Sequence, residues 1–313
     1  MDHDDRVEFY KHAHAFADRH NQDMCGFDML QKRIGTESKY GEIYQANLNN
    51  KTIEAAVKLM PINHKHRREI KYYEELNKLV TKNINPHFPI VFFSKTCKQC
   101  PFKNRAVEDC YVVMKEFADG DLKSWLKHIH SIDEHLSEIC QLMIIIIGLA
   151  QKKIIHYDLH WGNLLYHKTP KQNLNKYMYY IIQGHDVYIK MKGYHWIIWD
   201  FGLSKNYSSK EPKKNTFTID LYNISGVAQW SKEDEYTDII KPVPPKIADL
   251  YEMIGDATHD ARYNSSETEI DFFMFKFKQN VDAINKNILL IDPKIPPPPS
   301  NIINPSKPYT ITD

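Results

Sequence analysis

A chain of 313 residues, 42% hydrophobic and 26% charged, has apolar material for a full core, and its length suits one large two-part domain or two small ones. A net charge of +1 argues against a general nucleic-acid or membrane-surface binder, and the longest apolar run, Leu142–Ala150, is too short to span a bilayer. The opening Met1-Asp2-His3-Asp4-Asp5 lacks the basic and apolar regions of a signal peptide, and five cysteines, an odd number, fit a reducing, cytoplasmic compartment.

Residues 1–27 read as a helix with Phe9, Ala13, Phe16 and Ala17 on one face at helical spacing, packed against the outside of the domain. His3, His12, His14 and His20 read as surface residues, because no cysteine or carboxylate spacing supports a metal site there. Met29 to Ala46 reads as two strands around the loop Ile34-Gly35-Thr36-Glu37-Ser38-Lys39-Tyr40-Gly41-Glu42-Ile43-Tyr44. Backbone N–H groups of such a loop can close over phosphates, and glycine permits the close approach. Ala55-Ala56-Val57-Lys58 reads as a strand carrying an inward lysine, which is costly to bury without an anion. The expected partner is Glu69, on a helix over His66–Val80 with Ile70, Tyr73, Leu76 and Val80 at helical spacing; Glu74 and Glu75 are its rivals.

Phe88–Ser94 and Cys110–Phe117 read as a second pair of strands. Between them Cys97-Lys98-Gln99-Cys100 has the spacing of half a zinc knuckle, with Cys110 as a third thiol and Cys25, His87 or His64 as the fourth ligand. Free thiols at a hairpin and a regulatory disulfide are the other readings. Val112 to Leu122 runs from a buried strand through a Gly-containing connector into a helix capped by Asp121. Ser137–Lys152 reads as a strongly apolar helix with Ser137 as its N-cap.

Two stretches carry the chemistry. Ile154-Ile155-His156-Tyr157-Asp158-Leu159-His160-Trp161-Gly162-Asn163 leads from an apolar run into a carboxylate, Asp158, and an amide, Asn163, in one tight turn. Ile198-Trp199-Asp200-Phe201-Gly202 repeats the design with a second carboxylate beside a glycine. A base that orients an attacking hydroxyl and two oxygen ligands for Mg²⁺ are what a phosphoryl-transfer site needs. Asn163 and Asp200 stand 37 residues apart, and the Tyr-rich stretch between them, Lys171 to Tyr194, reads as an enlarged β-hairpin packed by its own aromatics. A polar, Lys-rich segment runs to Thr216, and Asp220 opens a helix-like run through Leu221, Ile224 and Val227. Helices are expected around Pro245–Ala257 and Ile270–Ile291, and residues 292–313, with Pro296 to Pro299, read as a polyproline-type or solvated tail.

In this order the motifs resemble those of the protein-kinase superfamily from about Asp28 to Ile291. His156 to Asn163 matches H-R-D-L-x-x-x-N with Tyr157 in place of the Arg, Asp200-Phe201-Gly202 is D-F-G, and Ala55–Lys58 matches V-A-I-K. The narrower likeness is to the divergent serine/threonine kinases of large (nucleocytoplasmic) DNA viruses, on the form H-x-D-L-H-x-G-N, the long insert before D-F-G and the cysteines near the hinge. A viral source would add the host cytoplasm and the virion as locations.

The resemblance implies an α+β, two-lobed kinase-like fold, with a small, mainly antiparallel N-lobe at 28–117 and a larger helical C-lobe at 118–291 carrying the hairpin insert at about 168–196. The N-terminal helix at 1–27 and the Pro-rich tail at 292–313 lie outside the lobes. It implies ATP and Mg²⁺ as cofactors and a protein hydroxyl as acceptor. Asp158 would be the catalytic base, with Lys58 and His160 beside it in the catalytic set, and Asn163 and Asp200 the magnesium ligands. Gly35, Gly41, Ile43, Ala56, Lys58 and Glu69 would hold the nucleotide, with Met114 at the back of the pocket and the backbone of Glu116 and Phe117 on the adenine edge. His156 would be a structural member of the loop, and Asp220 would bond its backbone.

Four departures bear on this. Gly35 and Gly41 fit the outer glycines of G-x-G-x-x-G-x-V with one extra residue between them and no middle glycine. Tyr157 removes the Arg that would pair with a phosphorylated activation loop. His160 stands where serine/threonine kinases place a lysine, and histidine offers a hydrogen bond rather than a permanent charge at neutral pH. No A-P-E motif follows D-F-G. Hence two alternatives stand: a small-molecule kinase of the aminoglycoside or choline type, which shares H-x-D-L-H-x-G-N, and a pseudokinase scaffold.

Overall fold

Five antiparallel strands build the sheet of the first of two compact units, residues 1–82 with 88–118. The strands are β1 (Leu30–Ile34), β2 (Glu42–Leu48), β3 (Ile53–Pro61), β4 (Val91–Cys100) and β5 (Glu108–Glu116), in the order β1-β2-β3-β5-β4. The computed structural model of the chain describes residues 3–21, 23–25, 27–34, 41–49, 52–102, 107–182, 184–207, 220, 241, 243–256, 289–291 and 298–311. The loop containing Gly35 lies outside these, as do the Lys-rich segment to Thr216 and the run at Leu221, Ile224 and Val227.

The central strand β3 is buried from Ala55 to Met60, as a strand covered on both faces must be. Helix α1 (His3–Arg19) lies against one face. Its Ala13 and Ala17 share a core with Tyr44, Ala46, Val57, Leu59, Phe92 and Met114, and Phe9 meets Phe92 edge-on at 6.0 Å. The apolar stripe legible in the sequence is the one that packs. Helix α2 (His64–Thr81) begins at Asn63, whose side chain accepts the His66 N–H at 3.0 Å, an N-cap that satisfies an otherwise orphaned donor.

The cysteines correct the zinc and free-thiol readings. Cys25 is bonded to Cys97 and Cys100 to Cys110, with Cα separations of 5.5 and 5.9 Å. Cys140 is the fifth, buried elsewhere. Among the described residues no cluster of three or more metal-ligating side chains exists. The β4–β5 register sets Cys97 opposite Cys110 and Cys100 opposite Glu108, with an irregularity between Cys97 and Cys100, yet it is Cys100 that bonds Cys110 while Cys97 takes Cys25.

The second unit, residues 83–87 with 119–313, is built on the buried helix α4 (Ile132–Gln151); α3 (Leu122–Trp125), capped by Asp121 with Ser124 in a reciprocal box, precedes it. Helix α4 starts earlier than the sequence reading placed it. Ser131, not Ser137, is its N-cap, in a box with Glu134, the S-x-x-E signature. Ser137 sits inside the helix and donates to the Lys190 carbonyl at 2.8 Å. Strands β11 (Tyr194–Ile198), β8 (Leu164–Lys168) and β6 (Gly120–Asp121) form one small sheet, and β7 (Ile154–Ile155) pairs with β12 (Lys205–Asn206).

The insert before Asp200 is the expected hairpin, β9 (Tyr177–Ile182) against β10 (His185–Lys190), with Tyr179 stacked on Tyr188 at 4.7 Å. It grows into a four-stranded sheet by recruiting distant chain. β13 (Leu289–Ile291) joins β10, and β14 (Tyr309–Ile311) runs parallel to β9. Two expectations change here. Leu289–Ile291 is strand rather than the end of a helix, the rest of 270–288 lying outside the described residues. The Pro-rich tail docks: Tyr309 and Ile311 are buried, and Asn304 exchanges hydrogen bonds with the Tyr179 backbone. Past its prolines the tail offers the alternating Tyr-Thr-Ile that an exposed strand edge accepts. Helix α5 (Pro245–Asp256) packs on α4. No helix among the described residues is long and apolar enough to cross a membrane.

Candidate active site

In the first unit, strand register decides what faces what. Lys58 stands opposite Ile43 on β2 and Val113 on β5, Ala56 opposite Gln45 and Lys115, and Val57 opposite Tyr44 and Met114. Since side chains alternate along a strand, Ile43, Ala56 and Lys58 share one face. Lys58 is 2% exposed, and its Nζ donates to Glu69 Oε1 at 2.6 Å. The structure thus selects Glu69 over Glu74 and Glu75, by the turn of α2 that faces β3. Burial of both partners makes this a charge-assisted contact of the strong kind. Gly41 is set where a Cβ would come within 2.7 Å of the Leu59 carbonyl oxygen and 3.5 Å of Lys58 Cε, so only glycine lets β2 begin this close to the lysine.

Met114 is a correction. It lies on the face opposite Lys58, in the core under α1 with Val57 and Leu59. The residue that turns to the Lys58 face is Lys115, whose Nζ donates to the Tyr73 hydroxyl at 2.7 Å and stands 4.0 Å from that ring's centroid. The run Tyr111–Phe117 is apolar on both of its alternating faces apart from Lys115 and Glu116, so periodicity alone could not orient it. Glu116 is buried, Phe117 half-buried, and β5 ends between them.

The second unit holds the catalytic-loop residues. Asp158, His160 and Asn163 close one turn: His160 N–H donates to the Asp158 carbonyl at 3.0 Å, and Asn163 N–H to that of His160 at 2.8 Å. The Asn163 amide Nδ2 donates to the Asp158 carbonyl at 2.8 Å and reaches its Oδ2 at 3.2 Å. With that NH₂ committed, what Asn163 has to offer a cation is its carbonyl oxygen, and Asp200 offers a carboxylate; both are donors Mg²⁺ accepts. Gly162 N–H donates to His160 Nδ1 at 3.0 Å. The other ring nitrogen, Nε2, stands 3.2 Å from Asn163 Nδ2 and 3.8 Å from Asp158 Oδ1.

His156 does the structural work expected of it. Fully buried, it donates from Nε2 to the Trp199 carbonyl at 2.9 Å and accepts the Asp158 N–H on Nδ1 at 3.3 Å, so it joins Asp158 to the residue before Asp200. Trp199 N–H donates to the Asn163 carbonyl at 2.8 Å, a second tie between the two motifs. Asp220 accepts the N–H groups of His156 and Tyr157, each at 2.8 Å. Burial first, and then the Asp158 charge, push its carboxyl up to about 7. Tyr157 and Asp200 hold left-handed backbone, φ +64° and +62°, uncommon for residues with side chains. Lys205 Nζ stands 5.2 Å from the Tyr157 ring centroid, so the position that carries Arg in the usual signature faces a cation here.

Of the residues singled out in the sequence, Ile43, Gly41, Ala56, Lys58 and Glu69 converge in the first unit, and Asp158, His160, Asn163 and Asp200 in the second. Sequence reasoning missed Arg6, whose guanidinium is buried against Glu116. Its signal was present: Arg6 continues the stripe of Phe9, Ala13 and Phe16 one turn toward the N-terminus, a charge on an apolar face.

Residues 29–222 match the family model of protein tyrosine and serine/threonine kinases. The probable serine/threonine-protein kinase 380R of Invertebrate iridescent virus 6 is 26% identical over 217 residues, covering 63% of this chain and 39% of that protein. The chain thus spans well under half of the curated relative it matches.

Proposed function

Since the chain belongs to the protein tyrosine and serine/threonine kinase family, we propose that it is an ATP- and Mg²⁺-dependent serine/threonine protein kinase. The observation that carries this reading is the single turn in which Asn163 holds Asp158 while His156 and Trp199 bind that turn to the Asp200 motif. The relative named a serine/threonine kinase supports the choice of acceptor.

On this reading Asp158, with about a third of its side chain exposed, accepts the proton of the substrate hydroxyl as that oxygen forms its bond to the γ-phosphorus and the bond to the β-phosphate oxygen breaks. His160 offers a hydrogen bond, rather than a permanent charge, to the transferring group. Lys58, held by Glu69, anchors the α- and β-phosphates. Asn163 and Asp200 would hold magnesium, which supplies charge neutralisation on the phosphates. Positioning and electrostatics make up the whole of the catalysis.

The deciding experiment is transfer from γ-labelled ATP with Mg²⁺, for wild type and Asp200→Ala, offered casein, a basic protein and a panel of small alcohols. Label on protein serine or threonine, absent in the variant, is the expected result. Label confined to a small alcohol would establish the aminoglycoside- or choline-type reading, which the histidine at position 160 favours, and no transfer with intact nucleotide binding would establish the scaffold.

A further inference from the structure

We propose that Arg6 is a positioning residue for the nucleotide base: the N-terminal helix is part of the binding apparatus, acting through Glu116. Arg6 is fully buried and forks onto one carboxylate, Nε donating to Glu116 Oε2 at 2.9 Å and Nη2 to Oε1 at 2.5 Å. The same Nη2 donates to the Phe88 carbonyl at 2.8 Å. Glu116 Oε1 also accepts the Ile90 N–H at 2.7 Å, and Glu116 N–H donates to the Ile90 carbonyl at 2.9 Å. One guanidinium therefore fixes the last residue of β5 and the segment that leads into β4, in the planar two-point geometry that lysine cannot supply.

That fixing has a direction. Glu116 is opposite Ala55, on the α1 face, so its side chain is drawn away from the Lys58 face. The strand end that the phosphotransferase reading assigns to the adenine edge is thereby held at a set rotation about its axis. The helix bearing Arg6 is itself retained: Ala13 and Ala17 are fully buried, and the Cys25–Cys97 disulfide ties the chain just beyond it to β4. A helix that merely covered a sheet would need no charge at its core-facing first turn.

The inference takes the ligand's identity and its place at the end of β5 from the proposed function, so binding is measured apart from transfer. The probe is Mg·ADP carrying a fluorescent ribose ester, titrated into wild type, Arg6→Ala, Arg6→Lys and Lys11→Ala, the last an exposed residue of the same helix. Arg6→Ala should weaken binding about tenfold or more, the scale on which misplaced binding groups cost affinity. Arg6→Lys should recover only part, Lys11→Ala should match wild type, and the ATP KM should rise while kcat at saturating ATP holds within about twofold. Should Arg6→Ala not fold, Arg6→Lys and Glu116→Gln give the same readout. Wild type that binds Mg·ADP alongside folded variants that bind it equally, or a fall in kcat in proportion to lost folded protein with KM unchanged, would overturn the positioning role alone. Wild type that binds no Mg·ADP would overturn the kinase reading and this inference together.

Discussion

Asp220 accepts the backbone N–H of Tyr157 on Oδ1 and that of His156 on Oδ2, each at 2.8 Å. Tyr157 sits at φ +64°, a conformation that costs a bulky residue on the order of 1–3 kcal/mol unless its surroundings impose it. Two hydrogen bonds to one carboxylate impose it, and Asp158 follows directly. Asp220→Asn offers one acceptor and one donor to two N–H donors, so one contact becomes repulsive. We expect kcat to fall by ~10²-fold, the scale of a misplaced base, with the ATP KM within twofold. Steady-state kinetics check this, and a KM effect with kcat intact would refute the assignment.

Lys58 and Glu69 separate folding from chemistry. Both are almost fully buried, so removing one partner leaves a charge uncompensated in the interior. Glu69→Ala should therefore lose roughly 3–5 kcal/mol of stability in denaturant unfolding. The double replacement Lys58→Met with Glu69→Leu removes both charges and should return most of that stability. It should remain without phosphotransferase activity, because the phosphate anchor is gone. A double variant that regains activity would remove Lys58 from the site.

How far the site could be read without coordinates depended on the length scale of each feature. Asp158, Asn163 and Asp200 are legible because the chemistry lies in short contiguous runs whose backbone closes on itself, as the His160-to-Asp158 and Asn163-to-His160 bonds show. Glu69 was legible in kind, since a buried Lys58 demands an anion, and needed only the turn of α2 to be chosen. Met114 and Lys115 were not, because which face a residue takes depends on cross-strand register with Val57 and Ala56, and a one-residue change inverts every assignment. The cysteine pairing and the docking of Tyr309 beside Tyr180 are long-range closures that local periodicity does not encode.

The two disulfides should contribute unequally. Their sequence separations are 72 and 10 residues, and a cross-link that closes a longer loop removes more freedom from the unfolded chain. On the chain-entropy account the difference is about 1–2 kcal/mol. Cys25→Ser with Cys97→Ser should therefore be less stable than Cys100→Ser with Cys110→Ser by that amount, in unfolding experiments without reductant. With a dithiol reductant in excess, wild type should fall below both double variants, each of which retains one bridge when oxidised. Equal stability in the two variants would place the bridges' contribution in native packing instead.

The interior of the second unit fixes a pH dependence whose sign can be worked out. Glu138, on α4, is wholly buried and accepts a hydrogen bond from the Tyr251 hydroxyl. Burial pushes its carboxyl up to about 8, so at neutral pH the native state holds a proton that the unfolded chain, titrating near 4.5, has released. Stability from this group is complete below the unfolded value and is lost as pH rises through about 8, with a slope of at most about 1.4 kcal/mol per pH unit. His135, lowered by burial to about 4, acts oppositely but only below its ordinary 6.5. Asp220, raised to about 7, acts in the same direction as Glu138 and is still releasing its proton between pH 7 and 8. Urea unfolding across that interval should show wild type losing stability more steeply than Glu138→Gln, an uncharged analogue of the protonated acid. A slope unchanged in the glutamine variant would assign the proton to another group.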